Sequence, residues 1–329
     1  MQKKVKIAFA VFSRGKNILK IVLNRSVTAS GSKRGSKQIS PLISLSYRSF
    51  ARIRPEKIPY HTITLLGPTL ISRKMKPTEQ TLIVGINSVR EAILASKRYC
   101  SRLIVEQGKT PPRIQAVVKL AEEKQTPIET LPKAEFQKKF HKYVHQGIAG
   151  YFSFIPNLEL ENLIESAFQT TSLPTLVILD GIQDPQNLGA IIRSAETLGI
   201  QGLILPKHGT PALNETVAKC SSGAIEHLPV TRVTNLTQCV EQLKEAGFWI
   251  AGVVPDGEIP CYQYQFDTPV ALVIGGEEKG IRPLLKKSCD VTLTIPMKGQ
   301  LQSLNAASAS AVVFYENLRQ KNLRDTINE

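Results

Sequence analysis

The stretch LVILDGIQDPQNLGAIIR, residues 176–193, joins a short apolar run to a turn and then to a helical pattern. Its first four residues predict a buried strand. Pro185 and Gly189 predict a turn, and Asn187 stands where a side chain caps the helix that carries Arg193. If the helix begins just after Asn187, Arg193 lies less than two turns along it and can reach an anion at the edge of the sheet. The alternative interpretation makes Asn187 an ordinary cap and Arg193 a solvated surface residue.

Four further apolar runs follow the same pattern, and helical patterns separate most of them. These runs are residues 203–205, 248–254, 270–274 and 291–295. Continuous apolar strands joined by helices are typical of a parallel sheet that helices cover on both faces. The sequence from residue 175 onwards therefore predicts an α/β domain. Such sheets bind ligands at the carboxyl ends of their strands, so the loops there are the candidates for chemistry.

Two more loops follow predicted strands directly. Residues 275–280, GGEEKG, carry glycines at both ends, which allow the backbone to approach a ligand closely. Residues 295–305, IPMKGQLQSLN, lead into a helix of small residues that Ser303 or Asn305 can cap while presenting polar groups to a ligand. Neither GxGxxG nor GxxxxGK[ST] occurs in the chain, which disfavours a nucleotide-dependent oxidoreductase. Taken alone, GGEEKG also fits an ordinary turn with Glu277 exposed.

A smaller α/β unit is predicted ahead of this domain. Short apolar runs predict strands, Asn87 predicts a helix N-cap, and Pro111 with Pro112 predicts the start of a second helix. A connecting helix is expected within residues 157–171. The predicted organisation is an extension over residues 1–74, a small domain over 81–155, a linker over 156–174 and a large domain over 175–329.

The formal net charge of +15 belongs to the start of the chain. Residues 1–80 contain 17 Lys and Arg against two acidic residues, whereas the remainder contains 25 of each sign. The first 74 residues are basic, rich in Ser and poor in acids, and we expect them to be unfolded. They fit an organellar transit peptide, a disordered basic arm that binds phosphates, or translated upstream sequence preceding a start at Met75.

The remaining composition points to a soluble protein that binds no metal. The five cysteines are odd in number and form no CxxC pair, which predicts reduced, mostly buried thiols. No apolar run is long enough to span a membrane, so a cytoplasmic location is expected unless the extension is a transit peptide. His141 and His145 are four residues apart without a third ligand, which favours solvated or capping roles. Residues 133–146, KAEFQKKFHKYVHQ, fit either an RNA-binding surface or an amphipathic helix with a solvated face.

Three motifs, each at the end of a predicted strand, resemble those of the SpoU or TrmH-like family of RNA ribose 2'-O-methyltransferases. They are NLGAIIR at 187–193, GGEEKG at 275–280 and IPMKGQLQSLNAA at 295–307. The resemblance covers residues 175–319. Residues 82–155, with GINSVREAIL and HQGIAG near their ends, resemble the N-terminal RNA-binding domain of the RlmB-type members. The extension has no counterpart in the resemblance.

The resemblance implies a deep trefoil knot of the SPOUT type, S-adenosylmethionine bound in a bent form, and a homodimer in which one subunit's Arg faces the other's cofactor. It assigns catalysis to Arg193 with Asn187, Glu277, Ser303 and Asn305 around it. Cofactor binding is expected at Gly275, Gly276, Gly280, Ile295, Pro296, Met297 and Leu304. The implied substrate is ribosomal RNA, namely a guanosine in the P loop of 23S rRNA. A tRNA substrate and a non-catalytic role in ribosome assembly are the alternatives.

Overall fold

The computed structural model divides the chain into two compact units, Met1–Ile71 and Ser72–Glu329. The structure describes residues 4–11, 19–26, 80–108, 111–301 and 303–328. In the first unit, β1 (Lys4–Val11) and β2 (Leu19–Ser26) form an antiparallel pair. This pair differs from the unfolded segment expected over residues 1–74. Lysine and apolar residues alternate at the start of β1, a period that favours a strand. The predictions for the rest of that segment, including Met75 and the transit peptide, lie outside the described residues.

The second unit begins with a small α/β domain, as predicted. Its elements are β3 (Gln80–Val84), α1 (Ile86–Ala95), β4 (Cys100–Glu106), α2 (Pro112–Glu123), β5 (Ile128–Leu131), α3 (Lys133–Phe140) and β6 (Ile148–Ser153). The sheet has the order β3-β6-β4-β5, in which only β4 and β5 pair in parallel. Helix α2 begins at the predicted proline pair.

The prediction that Asn87 caps α1 is wrong. The helix begins two residues earlier, at Ile86, and its N-cap is Gly85 with a φ of 93°, a conformation that glycine adopts without steric cost. The Gln146 side chain accepts a hydrogen bond from the Ile86 backbone N–H at 3.0 Å. A free helix N–H is therefore satisfied by a residue sixty positions away.

The large domain contains a parallel sheet of seven strands in the order β11-β13-β10-β12-β7-β8-β9. Its elements are α4 (Leu160–Thr170), β7 (Thr175–Asp180), α5 (Pro185–Thr197), β8 (Gly202–Pro206), α6 (Glu215–Cys220), β9 (Val230–Val233), α7 (Leu236–Glu245), β10 (Trp249–Val253), β11 (Ile259–Pro260), β12 (Val270–Gly275), α8 (Pro283–Lys287), β13 (Val291–Thr294) and α9 (Ala306–Asn328). All its strand pairs are parallel. The five predicted strands are confirmed, while β9 and β11 were not predicted.

Helices cover both faces of this sheet. Alternate residues of β7 enter different apolar clusters, because successive side chains of a strand point to opposite faces. Val177 packs in a cluster with Ile191 of α5, whereas Ile178 packs in a cluster with Val240 of α7. Leu163 of α4 is fully buried in the second cluster. The segment expected to be a linker therefore contributes to the core of the large domain.

The small domain packs directly on the large one. Arg98 and Glu226 form an ion pair in which both side chains are 1% exposed, and Arg98 Nε donates to Glu226 Oε2 at 2.8 Å. Ser88 Oγ donates to the Ala218 carbonyl oxygen at 3.1 Å. Lys97 Nζ donates to the His227 carbonyl oxygen at 2.8 Å. These polar contacts hold α1 and the segment after it against the region around α6.

The cysteines are free, and three of them are buried. Burial raises the pKa of the Cys100 and Cys239 thiols to about 12, which keeps them protonated and unreactive at neutral pH. Across the described residues, no helix is both long and apolar enough to cross a membrane.

The two histidines considered as metal ligands do not share a helix face. Helix α3 ends at Phe140, so both residues lie beyond it. His145 Nδ1 accepts a hydrogen bond from the Gly147 N–H at 3.0 Å, which agrees with a capping role. No group of three His, Cys, Asp or Glu side chains suited to a metal occurs in the part of the chain that the structure describes.

Candidate functional site

The three loops singled out in the sequence meet at the Glu277 carboxylate. Asn187 Nδ2, in the first turn of α5, donates to Glu277 Oε1 at 2.6 Å. The backbone N–H of Ala306, at the start of α9, donates to the same oxygen at 3.3 Å. A carboxylate is also stabilised at a helix N-terminus by the helix dipole. Glu277 therefore ties the second loop to the helices that follow the first and third loops.

The prediction that Asn187 caps its helix is wrong, and the Asn187 side chain binds Glu277 instead. Asp184 is the N-cap of α5, and its carboxylate accepts hydrogen bonds from the N–H groups of Gln186 at 3.0 Å and Asn187 at 3.2 Å. Because Asp184 satisfies these donors, the Asn187 amide is free to reach Glu277. Pro185 at the first helical position fits this start.

Arg193 lies farther along α5 than predicted, because the helix begins at Pro185. Arg193 follows Pro185 by eight positions, which corresponds to about 12 Å along the helix axis, or just over two turns. The Arg193 side chain is exposed, and among the described residues it has no hydrogen-bond or ion-pair partner. Its guanidinium is therefore available to a ligand or to another subunit.

The GGEEKG loop is tightly folded, and its glycines are required for close packing. The Gly276 N–H donates to the Asp180 carbonyl oxygen at 2.8 Å, and the Gly280 N–H donates to the Gly276 carbonyl oxygen at 2.9 Å. A Cβ atom on Gly275 would overlap the backbone of Gly280, and one on Gly276 would overlap the carbonyl oxygen of Gly181. Gly280 has a φ of 58°, in the left-handed region.

Asp180, the last residue of β7, anchors the far end of this loop. Its carboxylate is buried and accepts hydrogen bonds from Arg282 N at 2.9 Å and from Arg282 Nε at 2.8 Å. The guanidinium is thereby oriented, although the Arg282 side chain is 60% exposed. Neither residue is singled out by the sequence, in which Asp180 only follows an apolar run and Arg282 only follows the glycines.

The start of α9 agrees with the capping prediction for the third loop. Asn305 Oδ1 accepts a hydrogen bond from the Ser308 N–H at 2.8 Å, as an N-cap side chain does. Ser303 is exposed and faces a cleft instead.

That cleft, which we call the apolar cleft, has a volume of about 250 Å³ and lies between the second and third loops. It brings together most of the residues expected to bind a cofactor. They are Gly275, Gly276, Gly280, Ile295, Met297 and Leu304, and they are joined by Glu277 and Ser303. Three residues expected nearby, namely Asn187, Arg193 and Asn305, are not among those that line it.

Pro296 lies elsewhere, in a separate cavity with Tyr262 and Tyr315. Ile295 lines both spaces, so the segment 295–297 separates this cavity from the apolar cleft. Sequence reasoning missed a further wall of the apolar cleft, formed by 253–255 at the end of β10 and by Ala306 and Ala309 of α9. The position of 253–255 at a strand's carboxyl end was the available signal.

Comparison with known proteins gives consistent matches for both domains. Residues 174–315 match the model of the SpoU rRNA Methylase family. Residues 82–157 match a model described as RNA 2'-O ribose methyltransferase substrate binding. The chain is 38% identical over 243 residues to a Staphylococcus haemolyticus protein named "Putative TrmH family tRNA/rRNA methyltransferase", covering 74% of this chain and 97% of that protein.

Two solved structures have a similar fold. The SpoU methyltransferase AviRb from Streptomyces viridochromogenes, in complex with AdoMet, has a TM-score of 0.63 and 23% identity, covering 75% of this chain and 92% of its own. The AdoMet-bound rRNA methyltransferase from Sinorhizobium meliloti has a TM-score of 0.62 and 22% identity, covering 74% of this chain and 88% of its own. At these identities the likeness establishes the shared architecture.

Proposed function

Because the chain belongs to the SpoU/TrmH family of RNA methyltransferases, we propose that it transfers a methyl group from S-adenosylmethionine to a ribose 2'-hydroxyl of ribosomal RNA. The nucleotide proposed is a guanosine in the P loop of 23S rRNA, by resemblance to the RlmB-type members. The observation that supports a catalytic role is the Glu277 carboxylate, which joins all three loops beside a cleft at the carboxyl edge of the sheet.

The residues of the apolar cleft fit S-adenosylmethionine. Ile274, Met297 and Leu304 provide apolar surface for an adenosyl group, and the backbone of Gly275 and Gly276 provides polar groups without side chains. When bound, the cofactor supplies an electrophilic methyl group on a sulfonium centre. Glycine at these positions keeps the loop against Gly181 and Gly280, so the wall of the cleft has a fixed shape.

Arg193 is proposed to hold the phosphate next to the target ribose and to orient the 2'-hydroxyl. An arginine is a poor general base because its pKa is above about 12, whereas its planar guanidinium binds phosphate bidentately. Correct orientation of the reacting groups lowers the barrier by several kcal/mol. Loss of the hydroxyl proton would then be assisted by neighbouring polar groups of the motifs.

The exposed Arg193 also supports a homodimer with composite sites. Within the described part of its own chain this guanidinium has no partner, as expected if it serves the cleft of a second subunit. The trefoil knot belongs to the same proposal. The homodimer and the knot both rest on the resemblance of the three motifs to those of the family.

The test is a map of 2'-O-methyl groups in total RNA from cells with and without the gene. We expect one guanosine in the 23S P loop to lose its methyl group. Loss of a tRNA methyl group would assign the tRNA alternative, to which the tRNA/rRNA name of the staphylococcal relative also points. An unchanged map would contradict catalysis and support a non-catalytic role in ribosome assembly.

Replacing Gly276 by alanine is expected to weaken S-adenosylmethionine binding about 5- to 150-fold, the effect of an overpacking cost of about 1–3 kcal/mol. The added Cβ overlaps the Gly181 carbonyl oxygen, so the loop that forms one wall of the cleft must move. Isothermal titration calorimetry measures the change in Kd.

Gly299→Ala is the matched control. Gly299 lies in the third loop, and a Cβ atom there meets no atom within 4 Å. Equal Kd values for the two variants would show that close packing at Gly276 does not shape the cleft.

A further inference from the structure

A second cavity, of about 380 Å³, lies beside the apolar cleft at the carboxyl edge of the sheet. We call it the polar cavity. It shares Gly276, Glu277 and Gly280 with the apolar cleft. Its other polar side chains come from the loops after β7, β8 and β12, and they include Gln183, His208, Glu278, Lys279 and Arg282.

The charge of the polar cavity argues against a phosphate as its occupant. Four carboxylates line it, namely Asp180, Asp184, Glu277 and Glu278, against the two cations Lys279 and Arg282. With His208 left aside, the carboxylates therefore outnumber the cations by two. An anion entering the cavity would be repelled, whereas a neutral ligand with N–H donors would be attracted.

Three of the four carboxylates already accept hydrogen bonds within the protein. Asp180 binds Arg282, Asp184 binds the first turn of α5, and Glu277 binds Asn187. Glu278 is exposed and has no partner among the described residues. It is thus the carboxylate most available to a ligand, while Lys279 beside it is an exposed donor.

We infer that the polar cavity receives the target base and that Glu278 selects guanine; this inference rests on the proposed function. Proteins that recognise RNA sequence bind unstacked bases of loops by hydrogen bonds to their Watson–Crick edges. Among the four RNA bases, guanine alone presents two adjacent N–H donors there, at N1 and N2, which match the two oxygens of a carboxylate. Its O6 acceptor suits a cationic donor, which Lys279 or the exposed part of Arg282 provides.

Replacing Glu278 by glutamine tests this role, since the amide offers one acceptor and one donor in place of two acceptors. With 23S rRNA fragments as substrate, kcat/KM for methylation is expected to fall about 10- to 100-fold, the range for losing one bidentate base contact. The Kd for S-adenosylmethionine is expected to stay unchanged. Glu245→Gln, the same substitution at an exposed residue of α7 outside both cavities, should behave as wild type.

A second substrate makes the test specific for base recognition. A fragment with inosine at the methylated position lacks the N2 amino group, so wild type is expected to lose about tenfold in kcat/KM, the cost of one missing hydrogen bond. Glu278→Gln is expected to methylate guanosine and inosine fragments equally. If this variant discriminates between them as wild type does, or if the target proves to be another base, the inference is overturned while methyl transfer stands. A wild-type protein that methylates no RNA would instead remove the proposed function itself.

Discussion

Replacing Arg193 by alanine is expected to lower kcat for RNA methylation about 10²-fold, the usual cost of misplacing the reacting groups by about 1 Å. The guanidinium is exposed and lacks a partner within the described chain, so its loss leaves no buried group unsatisfied. Folding and S-adenosylmethionine binding should therefore be unchanged. Single-turnover methylation of a 23S rRNA fragment measures the rate of the chemical step.

Arg193→Lys separates charge from geometry. Lysine keeps the positive charge but lacks the planar fork, so an intermediate loss of activity is expected if bidentate phosphate binding matters. Full activity of the alanine variant, with a normal circular dichroism spectrum, would exclude Arg193 from the reaction.

If the protein forms the proposed homodimer, mixed dimers show which subunit uses each Arg193. If the site is composite, a dimer of Arg193→Ala with a subunit inactivated in its apolar cleft contains one intact site and one doubly damaged site. Random exchange would then restore about a quarter of wild-type activity in a symmetric dimer. If Arg193 acts within its own subunit, every site stays damaged and mixing restores nothing.

The sequence was sufficient to predict the sheet because its strands are continuous apolar runs. Residues 176–179 and 270–274 are buried on both faces, as the strands of a parallel sheet between two layers of helices are. The strand β9 reads VTRV and β11 spans two residues, so neither has an apolar run long enough to recognise. Their pairing depends on neighbouring strands, which local patterns do not report.

The candidate site was predictable where a single loop defines it. GGEEKG indicated close backbone approach, and its glycines do pack against Gly181 and Gly280. Asn187 was misinterpreted because Asp184, three residues earlier, is an equally good N-cap and comes directly before proline. The hydrogen bond from Asn187 to Glu277 joins residues 90 positions apart, and only the folded sheet brings them together.

The contact between the two domains was not predictable either, because it also joins residues that are far apart in the sequence. Arg98 and Glu226 are 128 residues apart in the sequence, and each on its own resembles an exposed surface charge. In the structure they form a buried pair. This pair holds the small domain, which matches the model described as RNA 2'-O ribose methyltransferase substrate binding, against the large domain. An RNA held by the small domain would then lie at a fixed distance from the apolar cleft.

Replacing Arg98 by methionine is expected to lower the free energy of unfolding by about 3–5 kcal/mol, because the Glu226 carboxylate is left buried without its partner. Methionine retains most of the apolar stem, so the effect comes chiefly from the charge. Urea unfolding followed by circular dichroism measures it.

The control and a double variant distinguish an unpaired charge from a general loss of packing. Arg90→Met removes a surface pair with Glu91, in which the Arg90 side chain is 54% exposed, and should cost at most about 1 kcal/mol. Adding Glu226→Leu to Arg98→Met removes the unpaired carboxylate, and much of the lost stability should return, since apolar pairs often replace buried ion pairs without loss. If the double variant is no more stable than Arg98→Met, the unpaired charge is not the cause. If stability returns while the KM of the double variant for the 23S rRNA fragment is higher than that of wild type, the ion pair serves chiefly to fix the orientation of the small domain.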